Sequence, residues 1–237
     1  MYRLRRLCMA LLVMCLTMLG SAAVFAAENI DRVTVNASAT MEVAPDTAYL
    51  YFAVEGRGDK AADAVAEAAN KMEAVRRSLL GLNIVGDSVS TTSYSLNRSY
   101  DNKGRADGYV ARNAVRVKVT DVAKVGGVID KISGAGVDNI SNINFTVSES
   151  KGYRNQLLAQ AVENARQQAA VLANAGGRSL GRLVSASVHN INGFERSYPI
   201  AGNMMLKTAD MSAGEATRIE TQNIKLTASV ETVFAMQ

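Results

Sequence analysis

Reactive and metal-binding side chains are scarce in this 237-residue sequence, which has one histidine, two cysteines and no tryptophan. Both cysteines, Cys8 and Cys15, lie in an N-terminal segment that is expected to be removed, so the mature chain would hold no thiol for a disulfide, a metal site or nucleophilic attack. The single histidine, His189, cannot complete a metal site with those cysteines and is interpreted as a residue at the end of a strand. Carboxylates are scattered without the spacing of an acid/base pair. We therefore predict no catalytic residue, no metal and no cofactor.

The N-terminal segment is typical of an export signal. Three arginines within the first six residues precede an apolar run, Leu7–Leu19, and small residues follow up to Ala26. The run is too short to span a bilayer, for which a helix needs about 20 residues. We therefore predict a signal peptide over residues 1–26 and export to the periplasm. An uncleaved membrane anchor is the alternative, and no later segment is apolar enough to cross a membrane.

An excess of positive charge is also missing once the signal is removed. The whole sequence has 26 basic and 22 acidic residues, a formal net charge of +4. Without the three arginines of the signal, 23 basic residues remain against 22 acidic ones, a net charge of +1. Nucleic-acid binding rewards a strong positive charge, so the near-neutral mature chain predicts no nucleic-acid partner.

Hydrophobic periodicity predicts an α+β fold for residues 27–237. Strands such as Thr47–Glu55 alternate apolar and polar residues, and they mostly come in adjacent pairs with helices between them. A first long helix is expected after Asp59, which would cap it; a short helix is expected over Val122–Ser133 and a second long helix over Tyr153–Ala175. We expect an antiparallel or mixed sheet of hairpins with the two long helices and the short helix packed on one face. The succession of hairpins and helices hints at two similar halves.

Each long helix carries an apolar stripe at spacings of three and four residues. The alanines of the second stripe would let that helix lie close to the surface that it covers. The residues expected to be buried are Val65, Ala68, Met72, Val75, Leu79 and Leu82 in the first helix and Leu158, Ala161, Ala165, Ala169 and Leu172 in the second.

A glycine motif before the first long helix has two readings. Gly56-Arg57-Gly58-Asp59-Lys60-Ala61 follows a strand and opens a helix, as a dinucleotide-binding G-x-G-x-x-A would. However, Asp59 places a negative charge where a pyrophosphate would sit, and the next strand turns back as a hairpin. We therefore interpret the motif as an ordinary strand-to-helix turn.

The strand Tyr109–Thr120 has a basic side. Its valines alternate with Arg112, Arg116 and Lys118, so the valines are expected to face the core and the charges to face away from it. A sheet that binds RNA needs aromatic residues at exposed central positions, where bases stack, and this strand has none there. We interpret the basic side as a solvated or interfacial face of a hairpin.

A long insert, Asn190–Ala216, is expected to have no regular structure, and loops of this length are often functional. Its apolar residues cannot all be buried without burying unpaired backbone groups, and if exposed they would form a contact patch. We therefore expect a homo-oligomer that is held partly through this insert. The alternative is that the insert folds back over an open sheet face near Tyr49 and Tyr51. The residues predicted at the oligomer or partner contact are Phe194, Tyr198, Met204, Met205 and Met211.

The three methionines of the insert support a further hypothesis. Thioethers are soft ligands for cuprous ions and are readily oxidised, so Met204, Met205 and Met211 would suit a soft-metal or oxidant-scavenging protein. The simpler interpretation is that methionine fills an irregular surface or a subunit contact. An uncharacterised enzyme, with a site that only folding assembles, is the remaining alternative.

The order of several weak motifs resembles the SIMPL-domain family, which includes bacterial periplasmic proteins described as oxidative-stress defence proteins and periplasmic immunogenic proteins. The likeness covers essentially the whole mature chain and is closest at Gly108-Tyr109-Val110-Ala111 and the alternating residues that follow. Other matching stretches are Pro45-Asp46-Thr47-Ala48, Thr92–Tyr100, Gly134-Ala135-Gly136, Phe145 and Leu180-Gly181.

The resemblance implies a periplasmic α+β protein that is not known as an enzyme and has no catalytic residues to carry over. It also implies large assemblies, since some members form ring- or channel-like oligomers. We therefore expect a non-enzymatic periplasmic binding or assembly protein that is linked to envelope or oxidative-stress defence and has an unidentified periplasmic or envelope protein as its partner.

Overall fold

A computed structural model of the protein describes residues 31–199 and 217–237, with only the backbone described for residues 195–199. The helices are α1 Ala61–Leu80, α2 Val125–Gly134 and α3 Ser150–Ala175. The strands are β1 Arg32–Val43, β2 Thr47–Gly58, β3 Val89–Tyr100, β4 Ala106–Val119, β5 Asn139–Thr146, β6 Leu180–Asn192, β7 Glu195–Pro199 and β8 Ile224–Met236.

The predicted α+β fold is confirmed, but the strands form two antiparallel sheets instead of one. A three-stranded sheet has the order β1-β8-β6, and a five-stranded sheet has the order β3-β4-β2-β5-β7. The first and last strands of the chain, β1 and β8, pair along their whole length from Arg32 opposite Ala235 to Val43 opposite Ile224. Because these strands lie at opposite ends of the sequence, periodicity alone could not assign them to a separate sheet.

One long helix packs on each sheet. Helix α1 packs on β2 and β4, and α3 packs on β1 and β8. Each long helix is followed by an edge strand, and the strand that pairs with this edge strand comes later in the chain: β3 and then β4 follow α1, whereas β6 and, after the intervening β7, β8 follow α3. The division of the chain into two similar halves stays a prediction, and this repeated order is what supports it.

A large hydrophobic core joins the two sheets, beside a smaller cluster of Ala64, Ala68 and Ala111. The large core contains Leu50 and Phe52 from β2, Val35 from β1 and Leu226 from β8, all of them buried. The buried faces of α1, α2 and α3 all contribute to the large core. The two sheets of the described chain are therefore packed against a shared core, even though their hydrogen-bonded ladders are separate.

The start and buried face of α1 differ from the prediction. The helix begins after Lys60, and no side chain caps it, so Asp59 is not its N-cap. Ala64 is buried in place of Val65, which is 37% exposed. The reason is the close approach of the helix to β2, where a Cβ at Gly56 would overlap the backbone of Ala64. The glycines of this strand-to-helix turn therefore serve helix packing.

Helix α3 starts three residues earlier than predicted and is rotated slightly. Its buried residues are spaced by four, whereas Leu158 is only partly buried and Leu172 is 54% exposed. A strict spacing of four drifts around a helix that has 3.6 residues per turn, so the buried face shifts along the helix. The buried residues are Leu157, Ala161, Ala165, Ala169 and Ala173.

The predicted insert is regular in its first part, so the expectation of irregular structure from Asn190 is wrong there. Strand β6 continues to Asn192, Gly193 adopts a φ of +95°, and β7 then pairs antiparallel with β5. The open edge of β5 accounts for this, because its unpaired backbone groups offer hydrogen bonds to the returning chain.

Candidate binding surfaces

The residues predicted at an oligomer contact fall in different places. Phe194 is partly buried against the main core, and the guanidinium carbon of Arg154 lies 5.1 Å from its ring centre. The hydroxyl of Thr146 donates to the Phe194 carbonyl at 2.7 Å. The backbone of Tyr198 pairs with β5, and Met204, Met205 and Met211 lie outside the described residues, as does the predicted signal peptide. A contact through these residues stays a prediction.

The single histidine lies on the surface of the three-stranded sheet. The His189 Nε2 atom is 3.5 Å from Glu231 Oε2, and the side chains are 56% and 41% exposed. Within the described ranges, no group of three or more His, Cys, Asp or Glu side chains could hold a metal ion. None of the helices described here is long and apolar enough to cross a membrane.

The carboxylates near the end of β2 belong to a network that joins elements of the fold. The Lys71 ammonium on α1 donates to the Glu55 carbonyl at 2.7 Å and to Asp138 Oδ1 at 3.1 Å. The backbone N–H of Glu55 donates to Asp138 Oδ2 at 2.7 Å, and the Glu55 carboxylate pairs with Arg112. These contacts attach α1 and the start of β5 to the sheet, so these charges have structural partners.

Asp46 fastens the turn between β1 and β2 to the start of α3. The Ser148 hydroxyl donates to Asp46 Oδ2 at 2.7 Å, and the Ser148 backbone N–H donates to Asp46 Oδ1 at 2.8 Å. Partial burial acts to raise the pKa of Asp46, but hydrogen bonds from Ser148 and Thr47 outweigh it and lower the pKa below its ordinary value. The ionised carboxylate therefore stabilises this connection.

Asp101 orders the turn of the β3–β4 hairpin in a similar way. Its Oδ1 atom accepts from the backbone N–H groups of Lys103 and Arg105, both at 2.9 Å. The backbone and side chain of Arg105 lower the pKa of Asp101. The turn connects β4 to the edge strand β3, whose pairing with β4 is regular from Ser93 to Ser99.

A pocket of about 390 Å³ lies at the start of α2. Thr217 lines this pocket, and its backbone N–H and hydroxyl donate hydrogen bonds to Asp130, which fastens the returning chain to α2. Gly126 makes this contact possible, since a Cβ there would overlap the Thr217 carbonyl. The lining residues are Val122, Ala123, Gly126, Gly127, Thr217, Arg218, Ile219 and Glu220.

The edge strand β3 exposes large apolar side chains. Tyr94 is 52%, Leu96 42% and Tyr100 61% exposed. Tyr94 and Leu96 lie on the face that carries α1, but α1 packs over β2 and β4. The strand has one charged residue, Arg98, and no lysine or proline. It therefore has few of the residues that usually protect an edge from pairing with another strand.

Of the other edge strands, β1, β6 and β7, strand β6 is better protected than β3. Its pairing with β8 shifts register at three places, and such bulges twist an edge away from regular pairing. The pairing of β3 with β4, by contrast, is regular from Ser93 to Ser99. The edge of β3 is therefore a more favourable place than the edge of β6 for a further strand to add.

The outer face of the five-stranded sheet combines aromatic and basic residues. Tyr49 and Tyr51 on β2 lie opposite Lys118 and Arg116 on β4. The guanidinium carbon of Arg116 is 5.2 Å from the ring centre of Tyr49, within the range of a cation–π contact. The basic strand itself has no aromatic residue at these positions, as predicted, but the neighbouring strand supplies two. Period two in β2 places both tyrosines on one side, whereas their basic neighbours depend on a register that the sequence does not show.

Comparisons with known proteins identify the family of this chain. A family model described as SIMPL, a protein of unknown function (DUF541), matches residues 33–234. The chain is 27% identical over 210 residues to the uncharacterized protein YggE of Escherichia coli K12, covering 87% of this chain and 83% of that protein. It is also 27% identical over 164 residues to the 26 kDa periplasmic immunogenic protein of Brucella melitensis, covering 66% of each chain. The chain therefore belongs to the SIMPL family.

Proposed function

We propose that this protein is a non-enzymatic periplasmic binding and assembly protein that associates with a second copy along the edge of β3. The observation that carries the proposal is the β3 edge, whose pairing is regular from Ser93 to Ser99 and which exposes Tyr94 and Leu96; Tyr100 is exposed beyond the register shift that follows Ser99. The periplasmic location is supported by the predicted export signal and by the name of the Brucella relatives. A link to envelope or oxidative-stress defence follows from the family resemblance.

The edge of β3 is suited to antiparallel pairing with itself. Unpaired N–H and C=O groups along an edge strand can be satisfied by a second strand. If the two-fold axis passes at Ser95, Tyr94 of each copy lies opposite Leu96 of the other. Cross-strand pairs of this kind contribute roughly 0.2–1 kcal/mol each. Arg98 would lie near the bulge at Thr92, which carries no charge, so no like charges would meet.

A cysteine placed on the axis tests this pairing. The mature chain has no cysteine once Cys8 and Cys15 are removed, so Ser95→Cys would be its only thiol. Directly paired residues of antiparallel strands have Cα atoms about 4.5–5.5 Å apart, which suits a disulfide. We expect mild oxidation of mature Ser95→Cys to give a covalent dimer on a non-reducing gel.

Asn97→Cys is the matched control. In the same register the Cα atoms of the two Asn97→Cys residues would be about 13 Å apart along the paired strands. This distance is too long for a disulfide. Leu96→Lys should lower the mass measured by light scattering, because it places a charge in the middle of the contact. A wild type that stays monomeric, or equal cross-linking of both cysteine variants, would contradict pairing along β3.

A further inference from the structure

The outer face of the five-stranded sheet is a second surface whose chemistry the assembly proposal leaves unused. Its central part is formed by Tyr49 and Tyr51 on β2 with Arg116 and Lys118 on β4. The alternate residues of β2, including Leu50 and Phe52, are buried in the core on the other side of the sheet. Among the described elements, the helices pack on that core side, so none of them covers these four residues.

Among the described side chains, the positive charge of Arg116 and Lys118 on this face is not opposed by a carboxylate. Glu55 is the carboxylate that β2 contributes to this face, and it pairs with Arg112 and Arg57. Arg116 and Lys118 make no ion pair with any carboxylate whose side chain the structure describes. Two cations on adjacent alternate positions of one strand, without an acidic partner among the described side chains, favour an anionic ligand.

The aromatic residues have different roles. The Tyr49 ring is already in contact with the Arg116 guanidinium, and this contact limits the freedom of the arginine side chain. Tyr51 lies next to it on the same strand and face and is partly exposed. A flat ring beside two cations suits a ligand that has both an apolar ring face and an anionic group.

We propose that this face binds an anionic oligosaccharide, with carboxylates or phosphates on Arg116 and Lys118 and a sugar ring on Tyr51. The C–H groups of a sugar ring form an apolar surface that packs on an aromatic face, and guanidinium bonds to carboxylate or phosphate are among the stronger hydrogen bonds. The face belongs to a sheet, not to a concave pocket, and therefore fits an extended chain better than a compact metabolite.

A nucleic acid fits this face less well. Single strands bind by stacking successive bases on aromatic rings, but here the Tyr49 ring is in contact with Arg116. The mature chain is also nearly neutral, with 23 basic residues against 22 acidic ones once the three signal arginines are removed from the 26. A strand of phosphates would gain little from such a chain.

Calorimetric titration of the mature protein at low salt tests the proposal. The probes are tetragalacturonate, which carries carboxylates, neutral maltotetraose and an oligothymidylate. We expect tetragalacturonate to bind and maltotetraose to bind much more weakly. The double variant Arg116→Gln/Lys118→Gln should weaken tetragalacturonate binding by about tenfold or more, because two charge-assisted contacts are lost.

Matched variants separate binding from damage to the fold. Arg182→Gln removes an exposed cation from β6 on the other sheet and should leave binding unchanged. Tyr51→Phe keeps the ring and should bind like the wild type, whereas Tyr51→Ala should bind more weakly. The Tm of each variant is measured first, and only variants with the Tm of the wild type are compared. Leu96→Lys should still bind tetragalacturonate, because the face lies within one subunit and does not depend on pairing along β3.

Several results would overturn the assignment. They are an absence of tetragalacturonate binding by the wild type, equal binding by the double variant, and equal binding of maltotetraose. Tighter binding of the oligothymidylate, lost in the same double variant, would assign the face to nucleic acid instead.

Discussion

The contact between α1 and β2 predicts opposite effects for the same chemical change at two glycines. At Gly56 a Cβ atom would overlap the carbonyl oxygen of Ala64 and the backbone nitrogen of Ala68. Both are backbone atoms of a helix, so no side-chain rotation can make room. At Gly127, in α2, nothing lies within 4 Å of an added Cβ. Gly56→Ala should therefore destabilise the fold, and Gly127→Ala should not.

The loss of stability expected for Gly56→Ala depends on the residues that α1 contributes to the core. The helix must retreat from β2, and its buried Met72, Val75 and Leu79 would move with it. Overpacking of this kind costs typically 1–3 kcal/mol, and we expect about 3 kcal/mol because the overlap involves backbone. For a domain of this size, 1 kcal/mol corresponds to a change of roughly 2–4 °C in Tm. Gly56→Ala should therefore lower Tm by about 6–12 °C.

Gly127→Ala is the control. Alanine in place of glycine inside a helix stabilises it by roughly 0.5–1 kcal/mol, which should raise Tm by about 1–4 °C. Scanning calorimetry of the two variants beside the wild type measures both changes. If Gly56→Ala changed Tm by less than about 2 °C, the close packing of α1 on β2 would be wrong, and so would the explanation of the glycine motif.

Two further predictions concern Asp46 and the insert. Asp46→Asn should lower the free energy of unfolding by about 1 kcal/mol at pH 7, since the charged acceptor is lost. The pKa of Asp46 is lowered in the folded state. The stabilisation is therefore present above the unfolded pKa of about 3.9 and disappears as pH falls through the folded-state pKa. Denaturant titrations at neutral and acidic pH measure this, and an equal difference at both would refute it. Replacing residues 200–216 with a short Gly-Ser linker should reduce the assembly size in light scattering if the predicted contact through the insert holds, and a wild type that is monomeric at micromolar concentration would contradict that contact.

Local patterns predicted much of the secondary structure. Period two in Thr47–Glu55 lies within β2, and the alanine stripe Ala161, Ala165 and Ala169 is buried in α3 as expected. What local patterns could not predict was pairing between distant segments. β1 finds its partner in β8 at the other end of the chain, and β7 forms because β5 has an open edge. Both pairings depend on hydrogen bonds between distant segments, and the sequence of one segment does not indicate which other segment it will pair with.

The outer face of the five-stranded sheet shows that local patterns are also insufficient to predict a site formed by two strands. Period two correctly placed Arg116 and Lys118 on one side of β4, and it separately placed Tyr49 and Tyr51 on one side of β2. A shift of one residue between two strands would reverse the faces, but a shift of two residues would keep the faces and change every neighbour. The sequence could therefore predict the side on which each residue lies, but not that Arg116 stacks on Tyr49. When each strand is considered alone, the cations are interpreted as a solvated face of β4 and the tyrosines as partly buried side chains of β2. The register between β2 and β4 brings these residues together on one surface. Neither strand alone would place cations beside an aromatic ring.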